Sequence, residues 1–508
     1  MQYILGVDLG TTAVKIAIFD ETGNKIADHT EEYDLWTPKP LYAELPAERY
    51  WEVFCKTMKL LLDKSKVDRK RIDSLSVSAQ GETLVFLDKD DRPLGNFIVW
   101  IDRRAHAEAS ELEAILSRRE IHAATGQAYS SPLWPAAKIL WFKRNNPEAF
   151  SKIRKIMLIE DYFFHRLGGV FRGEGSLWCS SLLWNMHTRE WWEPMLDTLG
   201  VRADQLPELR ESGEKIGTVL PQVAHALGLP DNLTLVMGGM DQACGAIGVG
   251  NVKPGIFSES TGSALAAITM LREPMIDEAY FMPCFYGAIK DSYMLQAASS
   301  GGIAVKWLRD ALCDGERSLE KETGISAYAE MDRLAATVPP ACDRLIVLPY
   351  FQGSGQPVND RYAKCTIYGL SLNHTRAHIL RAFMEGIAAT ISQMLTTIQN
   401  VIGAEIDEII SLSGGANSPL WCRIKADVTG KPLITTKNTR EAACLGAALL
   451  AGHGTGVFPS IPEAALKIVK RNNPYLPNPE NRAAYDDMLR RFSLLAEGLK
   501  PINKDIAL

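Results

Sequence analysis

Residues 4–20, ILGVDLGTTAVKIAIFD, constrain what this chain can fold into more than any other stretch. Two apolar runs, Ile4, Leu5, Val7 and then Val14, Ile16, Ile18, Phe19, flank a polar turn holding Asp8, Gly10, Thr11 and Thr12. Runs rich in β-branched residues and broken by Gly and Thr specify two strands joined by a tight turn. A glycine there lets backbone N–H groups approach an anion with no Cβ in the way, and the Thr hydroxyls add donors. Asp8 points at the same place. A carboxylate beside an anion cradle is repulsive unless a divalent cation sits between, which suggests a magnesium-bound phosphate. An ordinary hairpin with Asp8 solvated at its end fits this stretch equally well, so the remainder of the chain has to decide. The turn at Glu21, Thr22, Gly23 and Asn24 leads to a third strand near residues 25–29, making an antiparallel meander.

The second half repeats that plan. Residues 255–260 and 265–269 read as strands around Thr261, Gly262, Ser263 and Ala264, another cradle of backbone and hydroxyl donors. One hairpin per half suggests a duplicated domain with phosphates held between the copies. A chain of 508 residues is too long for one core, which agrees. Between the hairpins, helical spacing marks residues 42–63, and residues 72–78 form a strand. That strand ends in Ser78, Ala79, Gln80, Gly81, Glu82 and Thr83, at the strand end where α/β folds bind ligands. Glu82 can accept hydrogen bonds from substrate hydroxyls or sit solvated in a turn. Asp102 and Arg103 again follow a strand, residues 97–100, though the Arg pair can equally begin a helix. Trp134 and Trp141 read as packing residues rather than a sugar platform. The segment 233–250, LTLVMGGMDQACGAIGVG, runs from an apolar strand through two glycines to Asp241, which opens a helix of small residues. An Asp there can be a cap or an open, reachable general base. Residues 375–400 carry the longest apolar helical stripe. Ser413, Gly414, Gly415, Ala416, Asn417 and Ser418 join a strand at 405–411 to a helix opened by Pro419, a further anion or nucleotide site.

Composition removes several classes. Net charge is −6 with no basic run, so neither nucleic acid nor an anionic membrane is an expected partner. The first residues enter a strand without a basic, apolar leader, and no apolar run reaches membrane-spanning length. Nine scattered cysteines without a CxxC pair point to a reducing cytoplasm, with no zinc site and no disulfide frame.

Taken in order, VDLGTT, IVWIDRR, LPELRESGEKIG, GGMDQACGAIGVG, STGSA, HTRAHILRAFMEGIA, SGGANSPLWCRIKADVTGKPL and EAACLGAALLAGHGTG resemble the FGGY carbohydrate kinases over residues 3 to 460. That is the family of xylulokinase, ribulokinase, gluconokinase and glycerol kinase. The resemblance implies an α/β fold of two actin-like (ribonuclease H-like) ATPase domains, residues 1–250 and 251–508, flanking a central cleft. It implies transfer of the γ-phosphate of ATP, with magnesium, to a hydroxyl of a small sugar or polyol, and a homodimer by family precedent. Asp241 takes the place of the catalytic base and Asp8 that of the magnesium-holding residue. Gly10, Thr11 and Thr12, with Lys15, match the first phosphate loop; Thr261, Gly262 and Ser263 match the second. Gly414, Gly415 and Asn417 match the adenosine motif, and Gln80, Glu82, Asp102 and Asp241 fall where the family contacts its sugar.

Two departures bear on the substrate. Glycerol kinase has Gln-Arg-Glu where this chain has Gln80-Gly81-Glu82, and the missing arginine counts against glycerol. Xylulokinase has Met-His where this chain has Gly81-Glu82. Glu82 favours a neutral ketose or polyol over an acid, which a carboxylate would repel. The expectation is a xylulokinase-like enzyme for a four- to six-carbon ketose or alditol, with an aldonate (gluconate-like) or a tetritol as the alternative. A chaperone-type ATPase on the same fold is disfavoured by the lack of a separate peptide-binding domain. A sugar-binding regulator is disfavoured by the lack of a helix-turn-helix module before the first strand.

Overall fold

The structure, a computed structural model, describes residues 2–262, 264–351, 353–437 and 439–507. The strands that position the site are, in chain order, β1 (Tyr3–Leu9), β2 (Ala13–Asp20), β3 (Lys25–Glu32), β4 (Ile72–Ala79), β5 (Thr234–Val236) and β6 (Gly239–Met240). They continue with β7 (Ile256–Thr261), β8 (Ala264–Leu271), β9 (Tyr293–Ser300), β10 (Glu408–Leu412) and β11 (Leu433–Thr435). The helices needed are α1 (Ala47–Ser65), α2 (Pro135–Asn145), α3 (Asp241–Gly248), α4 (Arg376–Ile402), α5 (Pro419–Thr429) and α6 (Ala442–Gly454).

The chain forms two compact units. The first takes Met1–Val252, Met270–Met294 and Glu441–Val469; the second takes Lys253–Thr269, Leu295–Arg440 and Lys470–Leu508. The compact units exchange residues 270–294 and 441–469 across a cut at residue 250. The chain returns to the first unit because α6, AACLGAALLAGHG, is apolar on nearly every side and needs to be surrounded. It lies against β1, β4 and α3. The approach is close enough that a Cβ on Gly6 would stand 1.9 Å from the Cys444 carbonyl oxygen, and one on Gly446 2.0 Å from that of Cys244. The small residues of both helices are thus required by backbone-to-backbone packing.

In the first unit the strand order is β5–β4–β1–β2–β3, with Lys215–Thr218 added beyond β5 and β6 beside β4. Here β2 is antiparallel to β1 and β3, while β4 is parallel to β1 and β5 is parallel to β4. In the second unit the order is β9–β8–β7–β10–β11, with β8 antiparallel to β7, and β10 and β11 parallel to it in turn. The duplicated hairpin is thus one corner of a duplicated five-strand order, the ribonuclease H-like arrangement. Element ends shifted by a few residues from the sequence pattern. The first helix begins at Ala47 instead of residue 42, because Pro46 fits just ahead of a helix and Glu44–Leu45 pairs as a strand. The longest helix starts after Thr375 and stops at Gly403, which adopts φ 64°.

Candidate active site

Three strand ends assemble the first unit's polar cluster. Across β1 and β4, Asp8 pairs with Ser78; across β4 and β6, Ser78 pairs with Gly239. Asp8, Ser78 and Gly239 therefore form one lateral row on three parallel strands, and two residues further on stand Gly10, Gln80 and Asp241. Residues more than a hundred positions apart meet because parallel strands bring their C-terminal ends to one edge of the sheet. Gly238, just before that row, admits no side chain: a Cβ would lie 1.7 Å from the Val77 carbonyl oxygen.

Asp8 and Glu82 both act electrostatically on Asp241. Burial pushes the Asp241 carboxyl up to about 7, and the charges of Asp8 and Glu82 push the same way. Asp241 forms no salt bridge among the described residues and only opens α3, so it is not spent as a side-chain cap. Burial pushes Asp8 up to about 6 against the attraction of Lys15, its partner across the hairpin. Glu82 is raised by burial, opposed by a Ser180 hydrogen bond and by Lys138. A carboxylate with a pKa near neutrality, reachable at a strand–helix junction, can take a proton from a hydroxyl.

The Gly10 turn is fixed from two sides. Its carbonyl accepts from the Gln80 amide at 3.2 Å and from the Tyr33 hydroxyl, and Gln80 also donates to the Tyr50 hydroxyl at 3.1 Å. Thr11 Oγ1 accepts from the Trp100 indole N–H at 2.8 Å, while Thr12 is exposed. Gln80 thus ties the loop that follows β4 to the hairpin turn, and Trp100 ties the segment after the Phe97–Ile98 strand to it.

Asp102 stands apart from this arrangement. It is fully buried, and both of its oxygens are taken: Arg104 Nε and the Arg104 backbone N–H donate to Oδ1 at 2.9 Å, while Arg104 Nη2 and the Ala43 N–H donate to Oδ2 at 2.7 and 2.6 Å. Arg104 in turn pairs with Glu44 at 2.6 Å and stacks on Tyr42. The geometry makes Asp102 the anchor of this chain segment instead of a free acceptor for a sugar.

In the second unit, Thr261 ends β7 with its hydroxyl bonded to Glu259 and, at 2.9 Å, to Lys425 Nζ. Lys425 and Glu259, both fully buried, pair at 2.7 Å, and Ser411 joins them. Gly262 follows Thr261, and Ser263 lies outside the described residues. Gly414, Gly415 and Asn417 form a single turn of 3₁₀ helix between β10 and α5. Gly414 and Asn417 are exposed, whereas a Cβ on Gly415 would stand 2.7 Å from that of Thr261. That contact brings the Gly415 turn directly against the Thr261 hairpin. Ser418 caps α5, accepting from the Trp421 N–H at 3.0 Å.

The N-terminal domain of the FGGY family of carbohydrate kinases matches residues 3–248, and its C-terminal domain matches residues 259–455. The chain belongs to that family. This FGGY kinase is 28% identical over 504 residues to the xylulose kinase of Bacillus subtilis, covering 99% of this chain and 98% of that one. It is 26% identical over 459 residues to the gluconokinase of the same organism, covering 90% and 89%. Among solved structures, ligand-bound xylulose kinase from Lactobacillus acidophilus superposes with a TM-score of 0.89 at 26% identity, over 98% of both chains. The chain is therefore a phosphotransferase acting on a small sugar, with ATP as co-substrate. None of its described helices is long and apolar enough to cross a membrane.

Sequence reasoning missed Lys138, Trp100, Tyr33 and the pair Glu259 and Lys425. Two of these carried a signal. Lys138 interrupts the apolar run of α2, PAAKILWF, and Lys425 lies on the same helical face as Trp421. A lysine on the buried stripe of a helix needs a partner.

Proposed function

We propose that this kinase transfers the γ-phosphate of ATP to a hydroxyl of a neutral ketose or polyol, with Asp241 as the base. The observation that carries the reading is the Asp241 carboxylate. It sits beside Asp8 and Glu82 at one sheet edge, without a salt bridge among the described residues, and its pKa lies at about 7. In that state Asp241 accepts the proton of the attacking hydroxyl as the oxygen closes on phosphorus. Gln80 and Glu82 orient the sugar, and Asp102 orders the neighbouring segment through Arg104. Three converging carboxylates disfavour an anionic aldonate and favour a neutral substrate, which separates this reading from a gluconate-like one. Gly81 leaves room for a longer substrate than glycerol, its nearest neighbour being Met240 Sδ, 3.5 Å from a built Cβ.

Gly10, Thr11, Thr12 and Lys15 would hold the terminal phosphates from one hairpin, and Thr261, Gly262 and Ser263 from the other. Gly414, Gly415 and Asn417 would receive the adenosine. The donor set fits magnesium: a buried carboxylate at Asp8 beside a phosphate turn suits a divalent cation that binds mainly through phosphates and water. When bound, that cation neutralises the charge of the transferred group. Nine free cysteines suit a cytoplasmic setting, and a homodimer is the expected assembly.

A panel of ketoses, alditols and aldonates, read as sugar-stimulated ADP release, tests the substrate class. Preferential turnover of an aldonate would overturn it. Asp241→Asn should cut kcat by about 10²- to 10⁴-fold while leaving ATP affinity near that of the parent. Retained turnover would place the base elsewhere. In the parent, activity should fall as pH drops below about 7, because the base must be ionised.

A further inference from the structure

Lys138 is a whole ammonium enclosed in the first unit, with none of its surface exposed. It rises from α2 into the end of the sheet. Its Nζ donates to the carbonyl oxygens of Glu82 at 3.2 Å, Val99 at 3.0 Å and Trp100 at 3.2 Å. Three carbonyls around one Nζ match the three N–H donors of the ammonium form. Burying a cation is costly without compensation. Burial draws the ammonium down to about 7, against a specific but partial compensation: three carbonyls at the ends of two sugar-side segments, plus the negative charges of Glu82 and Asp102, with Arg104 opposing. The main chain it grips is unusual. Glu82 is held at φ 56°, in the left-handed region that a residue with a Cβ seldom enters without support. The Lys138 bond to the carbonyl of Glu82 is one such support.

We propose that Lys138 is the positioning residue of the sugar site: its Nζ fixes the Glu82 backbone and places a counter-charge near the Glu82 carboxylate. This rests on the reading of Glu82 as a sugar ligand. The groups that act on Glu82 are Lys138, the carboxylate of Asp241 and the Ser180 hydroxyl, and the thiol of Cys179 also lies within electrostatic reach. Lys138 is the cation that opposes burial and the Asp241 charge. Its grip on Val99 and Trp100 joins the segment after β4 to the one bearing the Trp100 indole, which reaches Thr11. One ammonium therefore sets the sugar side and braces the residue that touches the phosphate turn.

The test is steady-state kinetics of the full chain across pH 5 to 9 for the parent, Lys138→Met, Lys138→Gln, Lys138→Arg and Glu82→Gln. Lys138→Met should raise the sugar KM by about tenfold or more, with the ATP KM changed less than about twofold. Without its counter-charge Glu82 ionises only at higher pH, so the acid limb of sugar binding should move upward. Lys138→Arg, which keeps the charge, should return the limb towards the parent. A purely structural role would weaken the enzyme without moving that limb. If Lys138→Met fails to fold, Lys138→Gln, which keeps two donors and no charge, must show the same upward movement. If Glu82→Gln raises the sugar KM while the uncharged Lys138 variants keep the parental limb, the proposal alone is overturned. An unchanged sugar KM in Glu82→Gln overturns the assignment of Glu82 and the proposal with it.

Discussion

The two hairpins share a strand order but treat their acidic residue in opposite ways. In β1 the last residue, Leu9, pairs with Val14, and the acid Asp8 stands one place before it. In β7 the last residue, Thr261, pairs with Leu265, and the acid Glu259 stands two places before it. A shift of one residue moves a side chain to the other face of a strand. Glu259 therefore shares a face with Thr261, and there it meets Lys425 at 2.7 Å and Ser411. Asp8 falls on the other face, in the row of Ser78 and Gly239, where the attraction of Lys15 does not cancel the cost of burial. The position equivalent to Asp8 is taken in the second unit by Ser260, hydrogen-bonded to Ser413 at 2.7 Å. One hairpin spends its carboxylate on holding its own turn, and the other keeps its carboxylate at a free-energy cost. On the proposed reading, the difference assigns Glu259 to structure and leaves Asp8 for chemistry.

Removing half of the Glu259 and Lys425 pair should give the largest effect. Glu259→Gln or Lys425→Met leaves a buried charge without its partner, and stability should fall by about 3–5 kcal/mol in denaturant titration. The double replacement by apolar residues should recover part of that loss, since both charges leave together. A single variant with parental stability would break the comparison at its second half. The first half is tested by Asp8→Asn. That change should lower kcat by about 10²- to 10³-fold, the usual scale for deleting one electrostatic group from a reacting site. The same variant should be more stable than the parent at pH 8, because it removes a carboxylate that burial disfavours. Activity lost with stability gained is the signature of a functional acid; loss of both would make Asp8 another Glu259.

How much of this the sequence carried depends on the range of the interaction. The two hairpins, the Asp241 junction and the long helix of residues 376–402 rest on local pattern, and the structure has them within a few residues. Asp102 shows the limit. Its place after a strand is correct, yet what fills its oxygens is Arg104 two residues on and the Ala43 N–H some sixty residues back. Lys138 shows the same limit in reverse: its helix is local, but its three carbonyl partners are distant in sequence. The return of residues 441–469 to the first unit was also invisible to a single domain cut. Its cause is a tight backbone contact between two helices about two hundred residues apart.

The raised carboxylates also predict a pH dependence of stability. Asp8 at about 6 and Asp241 at about 7 lie above the usual carboxylate range in the folded state. Between pH 4 and 7 the folded chain then binds more protons at these groups than the unfolded chain does. Their contribution is complete at low pH and is lost as pH rises through 6 and 7. The double variant Asp8→Asn, Asp241→Asn should flatten this part of the stability profile by about 1–2 kcal/mol, after allowing for solvent screening of two partly exposed groups. A profile as steep as the parent's would mean that the two acids are already compensated, and the contrast with Glu259 would weaken.

The smallest expected effect separates the turns themselves. Thr11 receives one neutral indole N–H from Trp100, at 2.8 Å, whereas Thr261 is bonded to both members of an ion pair. Trp100→Phe deletes the single donor and keeps most of the ring. It should cost about 1 kcal/mol of stability, the net worth of one neutral hydrogen bond, and raise the ATP KM several-fold. Thr261→Val deletes a hydroxyl that both members of the pair engage, so it should cost more, about 1–3 kcal/mol, and show in denaturant titration as well as in the ATP KM. If Trp100→Phe proves the more damaging to stability, the first turn is held as firmly as the second. The distinction would then reduce to the two acids alone.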